Sequence, residues 1–198
     1  METATIILAA GNSSRLGEPK QLINFNGVSL LQRISSIALN TTLGPVIVVK
    51  GQQKYPLSPH PRLQTVVNLE WEKGMGNSLK LGLKTLMDDF QVEQVLVLLS
   101  DQPMVNEELI HVLLDSKAKG KRPIAAAFYQ NSPGVPAIFD KSVFKMIVDM
   151  PDKQGAKKIL LSNPGLVSLV KFDAGKIDID TPEDLLALQQ SNWEHFNN

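Results

Sequence analysis

Thr5-Ile6-Ile7-Leu8-Ala9-Ala10-Gly11 is the stretch that decides the fold. Residues 5–9 run apolar and β-branched without alternation, the pattern of a strand buried on both faces, and a small residue and a glycine follow at once. Working outward, the same pattern returns at 46–49, more weakly at 63–67, most clearly at Val95-Leu96-Val97-Leu98-Leu99, and again at 123–128 and 166–170. Between these runs the apolar residues switch to helical spacing. Leu30, Leu31, Ile34, Ile37 and Ala38 share one face, with Ser29 as cap. Leu79, Leu83, Leu86 and Met87 share another, led by Asn77 or Ser78. Leu109, Val112 and Leu113 predict a helix over 106–117, with Asn106 as cap and Glu107 and Glu108 at its positive end. Thr181 with Pro182 in the first turn predicts a last helix running to Gln190. Strand–helix–strand alternation of this kind predicts a mostly parallel, three-layer α/β sheet.

The whole composition agrees with one such unit. The 198 residues are 43% apolar, and a chain of this length buries roughly 70% of its unfolded surface, enough for a single domain over 1–198. Lys plus Arg and Asp plus Glu are 20 each, and zero net charge argues against a nucleic-acid or membrane-surface binder. The absence of cysteine removes disulfides, thiolate metal sites and thiol nucleophiles together. The apolar run at the N-terminus is too short for a signal segment and none approaches a membrane span, so a cytoplasmic location is expected.

In parallel α/β sheets ligands bind beyond the carboxyl ends of the strands, so the loops after strands are where chemistry belongs. The loop after the first strand reads Ala10-Gly11-Asn12-Ser13-Ser14-Arg15-Leu16-Gly17-Glu18-Pro19-Lys20. Glycines and small polar residues leave backbone N–H groups available, and Arg15 and Lys20 add two cations, a combination that suits a triphosphate. Glu18 after Gly17 excludes a Walker A loop, and Gly11-Asn12-Ser13 excludes the dinucleotide fingerprint. An ordinary polar turn has the same composition. After the strongest strand, Ser100-Asp101-Gln102-Pro103 puts a carboxylate at the mouth of the site, suited to Mg2+ and equally to a turn or cap. Asp178 and Asp180 fall on one face if extended. Asp180 and Thr181 are also candidates for capping the last helix.

Taken together these motifs resemble the nucleotidyltransferases related to molybdenum cofactor biosynthesis. Their signature loop, LAAGxSxRMGxPK, corresponds to Leu8, Ala9, Ala10, Gly11, Ser13, Arg15, Leu16, Gly17, Pro19 and Lys20. Their G-x-x-x-S-L-x-x-G-L element corresponds to Gly74 through Leu83, and their D-Q-P turn to Asp101-Gln102-Pro103. Gly134-Val135-Pro136-Ala137-Ile138-Phe139 matches G-x-P-A-x-F, and Asp178 through Leu185 matches D-x-D-T-P-E-D-L. The resemblance implies a Rossmann-like domain of the nucleotide-diphospho-sugar transferase type. It implies an Mg2+-dependent enzyme in which a phosphorylated acceptor attacks the α-phosphate of a nucleoside triphosphate and pyrophosphate leaves.

Residue by residue, the resemblance assigns the triphosphate to the signature loop, with Arg15 and Lys20 stabilising charge on the α-phosphate and leaving group. Asp101 binds the metal with Asp180, Asp178 being in reserve. Gly74, Ser78 and Gln102 border the substrate. Ala10 makes the likeness greatest to the molybdenum cofactor cytidylyltransferases, since guanylyltransferase relatives carry LAGG. CTP and a molybdopterin-type acceptor are then the substrates, with a molybdoenzyme as the partner that receives the product. Val135 stands where many members have histidine, and the stretch 151–156 is one residue longer than the usual G-D-x-G-A, both on the acceptor side. A sugar or polyol phosphate is the alternative acceptor, and a non-catalytic nucleotide-binding module the alternative class. His60, His111 and His195 have no zinc spacing, and no serine lies in a hydrolase elbow. Trp71 and Trp193 read as packing residues, although Trp71 precedes the Gly74 turn and can line a ligand edge.

Overall fold

The computed structural model describes residues 2–11, 19–177 and 184. Its elements run, in chain order, β1 (Ala4–Ala9), β2 (Asn24–Phe25), β3 (Val28–Ser29), α1 (Leu30–Thr41), β4 (Val46–Lys50), β5 (Leu63–Val67) and α2 (Met75–Asp89). Then follow β6 (Gln94–Leu99), α3 (Glu107–Lys119), β7 (Ile124–Tyr129), β8 (Ser132–Asp140), α4 (Phe144–Asp149), α5 (Ala156–Ser162) and β9 (Val167–Lys171). Seven strands form one sheet in the order β5-β4-β1-β6-β8-β7-β9. β8 pairs antiparallel with both β6 and β7, and every other neighbouring pair is parallel. The expected three-layer, mostly parallel sheet is present.

The continuous apolar runs are explained by two separate cores. Ile6, Leu8, Ile47, Val49, Val95 and Val97 pack under α2, α4 and α5 on one face. Ile7, Ala9, Val46, Val48, Leu96 and Leu98 pack under α1 and α3 on the other. With both faces covered, alternation between polar and apolar residues has nowhere to show. Ser29 caps α1 by accepting from the Gln32 N–H, and Asn106 caps α3 by accepting from the Leu109 N–H, both as the sequence predicts.

Other expectations need correction. α2 starts at Met75 with Gly74 at its cap, so Asn77 and Ser78 lie inside the first turn and do not lead the helix. Met87 and Val112, counted with the apolar faces of α2 and α3, are exposed. The strand β8, the hairpin β2–β3 and the short helices α4 and α5 were not expected as elements. Of the predicted helix after Thr181 only Asp184, which is helical, is described; the paired acids Asp178 and Asp180 lie outside the described residues, as do Ser13, Arg15 and Gly17.

Candidate active site

The chain builds the sheet outward from β1 to β4 and β5, then returns across β1 to lay down β6, and the connections diverge between β1 and β6. This is the position at which open α/β sheets bind ligands. The register pairs Ala9 with Lys50 and Leu8 with Leu99, so Ala10, Gly51 and Asp101 emerge along one edge of the sheet. Asp101 follows β6 in a turn whose Ser100 N–H donates to the Leu8 carbonyl at 3.2 Å. Lys20 stands on a single 3-10 turn, Lys20–Leu22, and its Nζ lies 3.5 Å from Asp101 Oδ2. That is longer than the roughly 2.7–2.9 Å of a tight charge-assisted hydrogen bond.

Gln21 fastens the exit of β1. Its Nε2 donates to the carbonyls of Ala9 at 2.9 Å and Gly11 at 3.4 Å. Both partners are acceptors, so the amide can face them only with its nitrogen. Its Oε1 is buried without a partner among the described residues. The orientation of the side chain is therefore set by the backbone it holds.

The opposite wall is the N-terminus of α2, the positive end of the helix. Gly74 there has φ +124°, a conformation that side-chain-bearing residues rarely adopt, and a Cβ would stand 2.6 Å from the Asp152 carbonyl oxygen. At Gly76 a Cβ would meet the Pro151 and Asp152 oxygens at 2.8 and 2.9 Å and that of Gln154 closer still. The carbonyl-rich loop 151–154 lies directly on the first turn, and the Asp152 oxygen accepts from the Asn77 N–H at 3.2 Å. Lys80 closes the clamp, donating from Nζ to the Met150 carbonyl at 2.9 Å and pairing with Asp152 Oδ1 at 2.5 Å. The hydrogen bond from Lys80 holds the Asp152 carboxyl below its ordinary pKa. Ser78 is buried, and its Oγ accepts from Asn68 Nδ2 at 2.9 Å.

Between these walls lies a cleft of about 290 Å3. Leu8, Ala10, Gly11, Lys20, Gly74, Ser78 and Asp101, all singled out in the sequence, line it together. Gln21, Trp71, Glu72, Met75, Leu99 and Ser100 complete the lining. Two of the expected residues do not line it. Ala9 is buried beneath the cleft and contributes the carbonyl that Gln21 holds. Gln102 is buried beside β8, its Nε2 donating to the Val135 carbonyl at 3.2 Å and the Tyr129 hydroxyl at 3.3 Å. Gln102, expected from the resemblance to border the substrate, ties the turn after β6 to β8.

Among the described residues no three His, Cys, Asp or Glu side chains gather into a preformed metal cage. Mg2+ commonly keeps one or two protein carboxylates and fills its shell with substrate phosphates and water. Asp101, in the cleft beside the cation of Lys20, fits an ion of that kind.

Solved structures show the same fold. The crystal structure of Rv0371c from Mycobacterium tuberculosis H37Rv superposes with a TM-score of 0.75 at 22% identity, covering 96% of this chain and 100% of that one. The same protein in complex with manganese gives 0.73 at 20% identity, with the same coverage. The fold is that of the nucleotide-diphospho-sugar transferases, as expected. Residues 5–166 match the MobA-like NTP transferase domain, and the chain belongs to that family and is a nucleotidyltransferase. It is 28% identical over 195 residues to nicotine blue oxidoreductase of Paenarthrobacter nicotinovorans, covering 92% of this chain and 94% of the relative. It is 27% identical over 193 residues to the purine catabolism protein PucB of Bacillus subtilis, covering 90% and 92%. It is 26% identical over 179 residues to "Probable molybdenum cofactor guanylyltransferase" of Aquifex aeolicus, covering 90% and 80%.

Proposed function

We propose that the whole chain is one NTP-transferase unit that transfers CMP from CTP to the phosphate of a molybdopterin-type acceptor. An acceptor phosphate oxygen bonds to the α-phosphorus, the bond to the β-phosphate bridge breaks, and pyrophosphate leaves with the electron pair. The observation that carries this reading is the cleft beyond β1 and β6, where Lys20 faces Asp101 beside the positive end of α2. Lys20, with Arg15, balances the charge that develops on the α-phosphate and leaving group. Ser13 and Gly17 belong to the phosphate loop, and Gly11 continues it into the cleft. Asp101, with Asp180, holds Mg2+, whose charge shields the triphosphate when bound. Gly74 and Ser78 border the nucleoside.

Ala10 supports cytosine over guanine. It lines the cleft, and it stands where the guanylyltransferase pattern LAGG has glycine. The relative named for molybdenum cofactor guanylylation supports the acceptor class, and the manganese complex of Rv0371c supports a divalent metal in this fold. Cytoplasmic cofactor assembly, with handover to a molybdoenzyme, is the setting this reaction fits. The test is calorimetric titration of CTP, GTP, ATP and UTP with Mg2+, on the wild type and on Asp101→Asn. Preferential CTP binding that the substitution weakens is the expected result. A preference for GTP overturns the assignment of the base, and binding of no triphosphate overturns the nucleotide reading.

A further inference from the structure

We propose that Trp71 is the platform on which the nucleobase of the bound triphosphate stacks. The inference rests on the nucleotide reading above and assigns the part of the cleft that Trp71 lines. Trp71 is half-buried in the lining of the cleft, on a 3-10 turn, Trp71–Lys73, immediately before α2. Its five-membered ring rests on Gly51: a methyl built there would stand 3.7 Å from Cδ1 and 3.9 Å from both Cγ and Nε1. Gly51 comes directly after β4, and Asp101 follows β6, with β1 between them. Two strand spacings put about 10 Å between those positions. This is comparable to the separation of a nucleotide's base from its α-phosphate. With the phosphates beside Lys20 and Asp101, the base reaches the indole.

The turn that carries the indole is braced. Asn68 anchors the turn, donating its backbone N–H to the Lys50 carbonyl at 2.8 Å and accepting from the Glu70 N–H at 2.9 Å through Oδ1. The Trp71 carbonyl accepts from the Gly74 N–H at 3.1 Å. Among the described residues Trp71 enters no aromatic pair and no cation–π contact, unlike Tyr129 with Phe172 or Arg33 with Phe25. A large ring on a braced turn, lining the cleft together with Met75, offers stacking at small entropic cost. As a core residue it would be buried on both faces; here one face is on Gly51 and the side chain borders the cleft.

The chain has two tryptophans, so Trp193→Phe leaves Trp71 as the sole indole reporter. In that background Mg-CTP is expected to quench the emission, and inorganic tripolyphosphate with Mg2+, which carries no base, is expected to leave it unchanged. Calorimetry on Trp71→Leu is expected to show roughly tenfold weaker CTP binding, with tripolyphosphate affinity held within about twofold. Trp71→Phe restores most of the loss, because a smaller ring still stacks. Unchanged CTP affinity in Trp71→Leu, or equal weakening of CTP and tripolyphosphate, overturns the platform while leaving the nucleotide reading in place. A quench by a soluble pterin but not by Mg-CTP overturns it in favour of the acceptor's ring. Failure of the wild type to bind any nucleoside triphosphate overturns the nucleotide reading, and the platform falls with it.

Discussion

Lys20 and Asp101 are 81 residues apart in the chain and 3.5 Å apart in the cleft. Each was legible in the sequence because Lys20 closes the motif loop that follows β1 and Asp101 opens the one that follows β6. Their meeting was not legible, because it depends on β1 and β6 being neighbours. Gln21 and Gln102 show the same limit from both sides. Gln21 gave no signal, since a polar residue after Lys20 does not reveal that two carbonyls will bury it. Gln102 stands in the same motif as Asp101, and the motif does not reveal that its amide donates to the Val135 carbonyl of β8. Lys20 also carries the sharpest prediction at this scale. If its charge acts on the transition state, Lys20→Ala lowers kcat by roughly 100-fold or more and shifts KM for the triphosphate only a few-fold. Steady-state kinetics that show equal losses in binding and turnover would remove it from that role.

At the scale of elements, the parallel strands were legible because burial on both faces writes itself as an uninterrupted apolar run. β8 was hidden by Pro133, Gly134 and Pro136, residues that argue against an interior strand. The register explains how it accepts them. Ala126 pairs with Ala137 and Ala127 with Gly134, so Val135 and Pro136 sit in a bulge, and pairing with β6 extends no further along β8 than Ala137. The hairpin β2–β3 carries a local sequence signal of its own: Asn26-Gly27, both at positive φ, is the favoured two-residue hairpin turn.

The clamp between α2 and the loop 151–154 supports two predictions at this scale. Gly76→Ala gains helix propensity, yet its methyl meets three backbone oxygens that have no side-chain freedom to yield. A net loss of about 1–3 kcal/mol is expected, read as a melting temperature lower by roughly 2–12 °C. A Tm equal to or above wild type would mean that the loop yields freely. The Asp152–Lys80 pair is a milder device, with a pH signature. The Asp152 carboxyl is held below its ordinary value, chiefly by the hydrogen bond from Lys80. A depressed folded-state pKa gives stability above the unfolded value of 3.8 that is lost as pH falls through the folded one. Asp152→Asn is therefore expected to lower Tm slightly at pH 7, with the difference closing below pH 3.8. A difference that persists unchanged in acid would assign the loss to packing, not charge.

Across the whole molecule, the cleft draws one wall from the sheet and another from a turn and helix that the sheet alone does not hold. Leu8, Ala10 and Asp101 are fixed by β1 and β6, while Trp71, Gly74 and Met75 depend on Asn68 and on the loop 151–154. A ligand that bridges the two walls binds the native state and has no counterpart in the unfolded chain, so binding must appear as global stability. At a hundred times its dissociation constant such a ligand adds about 2.7 kcal/mol. For a chain of this length that is a rise in Tm of roughly 5–11 °C. With Mg-CTP the full rise is expected, and with CTP in EDTA a smaller one, because triphosphate and carboxylate then repel without an ion between them. Asp101→Asn separates the terms: it removes that repulsion together with the metal contact. Its melting temperatures with Mg-CTP and with CTP in EDTA are therefore expected to converge, while its ligand-free Tm stays near wild type. Differential scanning calorimetry of both proteins under both conditions makes the comparison. If the Mg2+-dependent increment survives Asp101→Asn at full size, the ion is held elsewhere and Asp101 is only a partner of Lys20.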